Sequence, residues 1–350
     1  MARSQAQSVF GRLFSDSVAV DLGTANTLIY TDDGGIVLNQ PSVVCFDKHE
    51  SAAGRKRVAL VGDEAKQMLG RTPVNLEAVR PMRAGVIANF PAAEHMIRQF
   101  VGMARPRPFF ARRASFTICV PSGATQVERR AIREAAAAAG ARKVNLIDES
   151  LASAVGAGLP VSSATGSMVV DIGGGTTEIG VIALGGTAYK GSIRVGGDQF
   201  DAAIIKHVRN NFHVLLGEQT AEHVKKTIGS ALAIVPPDTM RATGRGIDDG
   251  LPRTVELSTQ DVVDAIAAPL RQVLGAVKAA LENAPPELVT DIADAGIVLT
   301  GGGALLGNLA RYFSNELHID VRVADEPLTC AVRGAGVAAS AGLVEMSAYD

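Results

Sequence analysis

Cysteine is scarce: Cys45, Cys119 and Cys330 are the only three in 350 residues, and no two form a CxxC pair. That scarcity argues against a disulfide framework or a zinc site and fits a reducing, intracellular setting. Cys119 lies in Phe116-Thr-Ile-Cys-Val120, a run that reads as a buried strand, so it is expected to be an inert core thiol. An excess of one charge is missing as well. Lys+Arg 34 against Asp+Glu 36 leaves a formal net charge of −2, so no specific nucleic-acid partner is expected beyond what a local basic patch offers. No run of 18 apolar residues occurs and no signal peptide with a cleavage site opens the chain. The expectation is a soluble cytoplasmic protein unless something anchors it peripherally. The six histidines have no metal spacing. The P-loop signature GxxxxGK(S/T) is absent, and Gly334-Ala-Gly336 follows no credible strand, so neither common nucleotide fingerprint applies.

Glycine, by contrast, is in surplus: 37 in 350 residues, about 11% against an average of about 7%. The chain is long enough for two or three domains at about 100–200 residues each. With 47% hydrophobic and 20% charged residues, wholesale disorder is excluded. Ordering glycine costs backbone entropy, so a surplus marks tight turns or backbone that approaches something closely.

Two glycine clusters match. One is Val18-Ala-Val-Asp21-Leu-Gly23-Thr24-Ala25-Asn26-Thr27, the other Met168-Val-Val-Asp171-Ile-Gly173-Gly174-Gly175-Thr176-Thr177-Glu178. Each is a short apolar strand ending in Asp, then an apolar residue, glycine, a hydroxyl-bearing stretch and another β-prone run. They lie about one domain length apart, which points to a duplicated half-domain. A strand–turn–strand hairpin with glycine at its tip exposes consecutive backbone N–H groups as an anion-binding nest, where a Cβ would hold a phosphate off. Thr24, Thr27, Thr176 and Thr177 offer hydroxyl donors, and Asp21 and Asp171 suit a hard cation such as Mg²⁺ held partly through water. Two ordinary β-hairpins with glycine turns would carry the same pattern.

A third cluster, Gly296-Ile-Val-Leu-Thr300-Gly301-Gly302-Gly303-Ala304-Leu305-Leu306, reads as a buried strand, a glycine turn and a helix. The turn suits a phosphate or the flat face of a nucleoside, or is a plain connection. Thr125-Gln-Val-Glu128 is a capping box at the head of an alanine-rich helix ending at Gly140. A strand at Lys143–Ile147 then leads through Asp148-Glu149-Ser150 into a small-residue helix. Strands alternating with helices argue for an α/β architecture. Residues 235–254 are expected to carry hairpins or loops, and 261–283 one amphipathic helix. The stretches 152–158 and 334–340 read as closely packed helices, either a hinge around a ligand cleft or tight core packing.

These motifs resemble the actin, heat-shock chaperone and sugar-kinase superfamily, and within it the MreB family of bacterial actin homologues. The resemblance runs from about residue 16 to about 340. It includes Val79-Arg-Pro-Met-Arg-Ala-Gly-Val-Ile87, Val120-Pro-Ser-Gly-Ala-Thr-Gln-Val-Glu-Arg-Arg130, Gly156-Ala-Gly-Leu-Pro160, Val195-Gly-Gly-Asp198 and Pro285-Pro-Glu-Leu288 as well as the three glycine clusters. It implies an actin-like α/β fold of two related domains, each with a smaller subdomain, around a nucleotide cleft. The implied boundaries are 1–15 for an N-terminal amphipathic segment, 16–153 for the first domain (small subdomain about 41–74) and 154–325 for the second (about 190–256). A C-terminal helix, 326–350, would return to the first domain.

The implied function is an ATP-dependent cytoskeletal protein that determines cell shape. Its membrane-associated filaments would organise cell-wall synthesis, ATP binding favouring assembly and slow hydrolysis promoting turnover. Thr24, Ala25 and Asn26 with Gly23 would meet the phosphates of ATP or ADP from one side, and Gly173, Gly174, Gly175 and Thr176 from the other. Asp21 and Asp171 would face Mg²⁺ and its waters, and Glu149 with Thr176 would serve hydrolysis by positioning the attacking water. Gly197, Glu222, Lys225, Lys226, Gly301, Gly302, Gly303, Ala304 and Leu305 complete the implied nucleotide contacts. Read alone, Glu222, Lys225 and Lys226 are a charge pair along a helix. Ser150 stands where the family usually has proline, and His223 and Thr227 where it has Arg and Glu.

Partners implied are the chain itself, cell-wall elongation proteins and the lipid surface at the inner face of the cell membrane. Val9, Phe10, Leu13 and Phe14 would share one face of an amphipathic helix. Phe109 and Phe110, between arginines in Arg105-Pro-Arg107-Pro-Phe-Phe-Ala-Arg-Arg113, suit an anionic membrane, with core packing and nucleic acid as competing uses. A small-molecule, sugar-type kinase is the alternative, though no separate sugar-binding constellation is visible. A chaperone would need a peptide-binding domain for which the chain to Asp350 is expected to leave no room.

Overall fold

The computed structural model describes residues 17–50, 56–104 and 114–341, which fall into two compact units. One holds the described residues up to Val120, Ala124–Asp148 and those from Ala331 onward; the other holds Pro121–Gly123 and Glu149–Cys330.

The first unit opens with an apolar run that becomes β1 (Ser17–Leu22), turning into β2 (Asn26–Thr31) and β3 (Gly35–Pro41). Strands β4 (Val44–Glu50) and β5 (Lys56–Val61), helix α1 (Gly62–Met68) and β6 (Leu76–Val79) form a small region with sheet order β5-β4-β6. A two-residue pair, β7 (Met82–Arg83) and β8 (Val86–Ile87), precedes α2 (Phe90–Ala104). Then come β9 (Ser115–Val120), α3 (Gln126–Ala138) and β10 (Lys143–Asp148). The main sheet runs β10-β9-β1-β2-β3: β1, β9 and β10 are parallel, and β1, β2 and β3 antiparallel. The expected capping box starts α3, since Thr125 Oγ1 accepts the Glu128 N–H at 3.3 Å while Glu128 Oε2 accepts the Thr125 N–H at 2.7 Å. The main core of this unit buries Phe100, Phe116, Ile118 and Leu146 fully, and a smaller cluster of Val43, Cys45 and Ala65 lies beneath the small sheet.

In the second unit α4 (Glu149–Gly156) leads to β11 (Ser167–Ile172), β12 (Thr177–Ala183) and β13 (Gly186–Ile193). Helix α5 (Gly197–Phe212), strand β14 (Val214–Leu215) and α6 (Glu218–Ile228) follow, then the hairpin β15 (Thr239–Gly246) and β16 (Pro252–Ser258). Next are α7 (Thr259–Asn283), α8 (Pro286–Ala295), β17 (Ile297–Thr300), α9 (Leu309–Leu317) and β18 (Val321–Val323); α10 (Cys330–Ala341), which belongs to the first unit from Ala331 onward, ends the described chain. The main sheet runs β13-β12-β11-β17-β18, with β11, β17 and β18 parallel and β11, β12 and β13 antiparallel. This is the order and direction of the first sheet over again. The duplication expected from the two glycine clusters is therefore present in strand topology. A second core, including Phe200, Val224, Ile266 and Phe313, lies in this unit.

Residues 235–254 hold most of a hairpin, one of the two outcomes expected there, and it extends to Ser258. Other local expectations need correction. The third glycine cluster does not enter a long helix directly: Gly302–Leu305 form one 3-10 turn, and α9 starts at Leu309. Gly158 lies beyond α4 in a turn, not within the helix. Gly156 does pack tightly, as a Cβ there would collide with the Cys330 carbonyl of its own unit. At Gly336 a Cβ would lie 2.7 Å from the Tyr30 ring, again within one unit. Close packing accounts for both.

Candidate functional site

The two acidic hairpins occupy matching places. Asp21 on β1 pairs with Leu28 on the antiparallel β2 and with Cys119 on the parallel β9. Asp171 on β11 pairs with Glu178 on β12 and with Thr300 on β17. Both acids thus end the central strand of their sheet, where the parallel and antiparallel halves meet and the turn leaves backbone N–H groups outside the ladder.

In the first hairpin, Thr24 is buried and its Oγ1 accepts the Gly85 N–H at 2.9 Å. That bond leaves the hydroxyl proton of Thr24 to donate elsewhere. Thr27 does not fit the expected role, because it is buried and bonded to Ser42 Oγ at 2.9 Å. Ser42 ties the turn down by donating its hydroxyl to the Gly23 carbonyl at 2.6 Å and its N–H to the Ala25 carbonyl at 2.9 Å. Asn26 donates to Asn39 Oδ1 at 2.8 Å. Gly23 is required by the chain itself, since a Cβ there would strike the Asn26 carbonyl. The steric reason expected was a phosphate; the structure supplies a backbone oxygen.

The second hairpin is held by its neighbours. The Gly173 N–H donates to the Thr176 carbonyl at 2.9 Å. The first N–H groups of α5, those of Gly197 and Asp198, donate to the Gly173 and Gly174 carbonyls at 3.0 and 2.8 Å. Thr176 is buried at the tip, whereas Thr177 turns inward and donates to the Val195 carbonyl at 2.7 Å, so it is withdrawn from the set of phosphate donors. Asp171 is buried, with its Oδ2 accepting from Ser153 of α4 and, at 2.9 Å, from Thr300 of β17. Burial pushes its carboxyl above the usual range against the pull of those two bonds. Gly301 sits at φ +79°, and a Cβ there would lie 2.5 Å from Asp171 Oδ1, so the third cluster closes over the end of β11. Ala304 is buried and Leu305 is exposed on the 3-10 turn.

Glu149 is the first residue of α4 and half-buried. Just before it, Asp148 is paired with Arg129 at 2.8 Å in the first unit. Lys225 has partners in its own unit, donating to the Gly197 carbonyl and to Asp201 Oδ2, both at 2.9 Å. Lys226 and Glu222 form an i,i+4 pair at 2.6 Å, the arrangement that the helix spacing alone indicates.

Ser153, Thr300, Glu178 and Asp201 went unread in the sequence. Glu178 is 1% exposed; its Oε2 accepts the Ser122 N–H at 2.9 Å and its Oε1 the Ser192 hydroxyl at 2.6 Å. Burial, with Asp171 opposite, pushes its carboxyl up to about 7. Asp201 is pushed to about 6, burial outweighing Lys225. The spacing of Asp171 and Glu178 across a four-residue tip was the available signal for the first pair.

Among the described residues no group of three or more His, Cys, Asp or Glu side chains could hold a metal by itself. Single carboxylates at strand ends suit Mg²⁺, which keeps waters and takes phosphate oxygens as ligands. No described helix is long and apolar enough to cross a membrane. Val9, Phe10, Leu13, Phe14, Phe109 and Phe110 lie outside the described residues.

The family described as MreB/Mbl protein matches residues 15–344. The chain is 53% identical over 332 residues to the cell shape-determining protein MreB of Escherichia coli (strain K12), covering 94% of each. It is 40% identical over 325 residues to the cell shape-determining protein Mbl of Bacillus subtilis (strain 168), covering 93% of this chain and 96% of that one. Among solved structures, MreB 5 of Spiroplasma citri bound to AMPPNP matches with a TM-score of 0.88 at 32% identity, over 93% of this chain and 96% of that one. The MamK double helical filament shares the fold at a TM-score of 0.78 and 22% identity, over 93% and 99%.

Proposed function

This chain belongs to the MreB/Mbl family, and from that premise we propose that it is a filament-forming ATPase of the bacterial cytoskeleton. The fold is actin-like and the role is that of a cell-shape determinant; a sugar-type kinase is not favoured. The observation that carries the nucleotide reading is the pair of equivalent hairpins, each ending the central strand of its sheet in an aspartate. A relative 32% identical has been solved with AMPPNP and with ADP, which supports nucleotide binding here.

In this reading the two hairpins, one with Gly23, Thr24, Ala25 and Asn26 and one with Gly173, Gly174, Gly175 and Thr176, would supply N–H and hydroxyl donors to phosphates. Asp21 and Asp171 hold the waters of Mg²⁺, which when bound neutralises phosphate charge. Glu149 orients the attacking water and accepts its proton. Leu305 offers an exposed apolar surface to the nucleoside face, with Gly301, Gly302, Gly303 and Ala304 shaping that turn. Lys225, Lys226, Glu222 and Gly197 would contact the nucleoside, and for that Lys225 would have to share its bond to Asp201.

Head-to-tail contacts between copies, where their rotation does not close a ring, produce open polymers. Filaments at the inner membrane face, engaging the cell-wall elongation proteins, complete the proposal. Their lipid contact is assigned to Val9, Phe10, Leu13, Phe14, Phe109 and Phe110. Co-sedimentation with anionic liposomes tests part of this: Phe109→Ser/Phe110→Ser is expected to reduce binding at least fivefold, and undiminished binding excludes these two residues from the lipid contact.

Titration calorimetry with Mg-ATP is the test of the nucleotide site. One ATP per chain is expected, with Asp21→Asn and Thr24→Val each weakening it about tenfold, the scale of about 1.4 kcal/mol. Parental affinity in both variants contradicts the phosphate-clamp assignment.

A further inference from the structure

Behind Glu149 a chain of hydrogen bonds crosses the second unit. Ser122 donates its backbone N–H to Glu178 Oε2 at 2.9 Å. The other oxygen, Oε1, accepts from Ser192 at 2.6 Å, so both carboxylate oxygens are engaged and the side chain is fixed. Ser122 Oγ lies 3.3 Å from Ser150 Oγ. Either hydroxyl can serve as the donor in that contact, and the bond gives each a partner. Ser150 is wholly buried and is the second residue of α4, next to Glu149. From the other side β12 presses on it: a Cβ at Gly180 would lie 2.9 Å from Ser150 Cβ.

Position 150, in the first turn of a helix, is one that a proline also suits. A proline in the first turn of a helix fixes its own φ through the ring and sacrifices only an orphan N–H. A serine supplies no such fixation, and its buried hydroxyl costs free energy unless bonded. Ser122 satisfies that hydroxyl, and Glu178 orients Ser122.

We infer that Glu178, Ser122 and Ser150 are positioning residues for Glu149, holding the first turn of α4 by side-chain bonds where a proline ring would otherwise hold it. The inference rests on the reading of the chain as an ATPase whose water is oriented by Glu149. A displacement of about 1 Å at a reacting group costs on the order of 10²-fold in rate, so a looser first turn registers in turnover.

The test measures ATP turnover by phosphate release, AMPPNP affinity, and hydrogen exchange at the amides of 149–152. It uses the full chain as parent, Ser122→Ala, Ser150→Ala and their double variant. Each single variant is expected to lower kcat about five- to tenfold, to leave AMPPNP affinity within twofold, and to speed exchange at 149–152. The double variant is expected to lose no more than the worse single, because the bonds act as one unit. Ser150→Pro placed in the Ser122→Ala background is expected to recover kcat to within twofold of the parent. Parental kcat and exchange in the single variants, losses that multiply in the double, or affinity falling in step with kcat would each overturn the inference. A parent that releases no phosphate defeats the ATPase reading instead, and the exchange measurement still reports whether the bonds hold the turn.

Discussion

Asp171 and Glu178 face each other across two strands, both buried, and each is held by hydroxyl or amide donors and not by a cation. For Glu178 the consequence is a stability that depends on pH. Its carboxyl stands at about 7 when folded against an ordinary 4.5, so between those values the folded state keeps a proton that the unfolded chain has lost. Stability contributed by this group is full below about 4.5 and is lost as the pH rises through about 7, a change on the order of 3 kcal/mol. Glu178→Gln removes the charge while keeping an acceptor for Ser122 and a partner for Ser192. Urea unfolding from pH 5 to pH 8 should therefore show the parent losing stability relative to this variant; a parent that gains on it over that range contradicts the assignment. Asp171 was legible in the sequence as an acid ending an apolar strand. Its partners were not, because Ser153 and Thr300 lie 18 and 129 residues away and only the fold brings them to it.

Elements were legible where the signal is local. Thr125 and Glu128 mark the start of α3 within four residues, and the capping box is formed as written. The start of α7 is set by a similar box, Ser258 with Asp261, which the apolar period alone placed too late. Roles of threonines at the hairpin tips were half legible. Thr27 and Thr177 lie within strands and face Ser42 and the Val195 carbonyl, whereas Thr24 and Thr176 lie in the turns before those strands. Gly156 illustrates a different limit. Its neighbour is the Cys330 backbone, which cannot move aside, whereas Gly336 meets the ring of Tyr30, which can. Gly156→Val is therefore expected to cost at least about 2 kcal/mol in urea unfolding, and more than Gly336→Val. Equal, small losses would contradict the packing described for α4.

At the scale of the whole chain, the duplication was visible in ten residues repeated once, and it proved to extend through five strands of each sheet. The two small sheets, β5-β4-β6 and β14-β15-β16, carry no matching motif and went unforeseen in their pairing. The proposed function rests on the same repetition: two hairpins of one design, each with its acid and its hydroxyl. The central claim is that nucleotide state governs assembly. Sedimentation with electron microscopy of the full chain in ATP, ADP or no nucleotide tests it most directly. Filaments that pellet with ATP and are reduced at least fivefold with ADP or without nucleotide are the predicted result; persistent monomers in all three, with ATP-dependent phosphorylation of a metabolite, would contradict it.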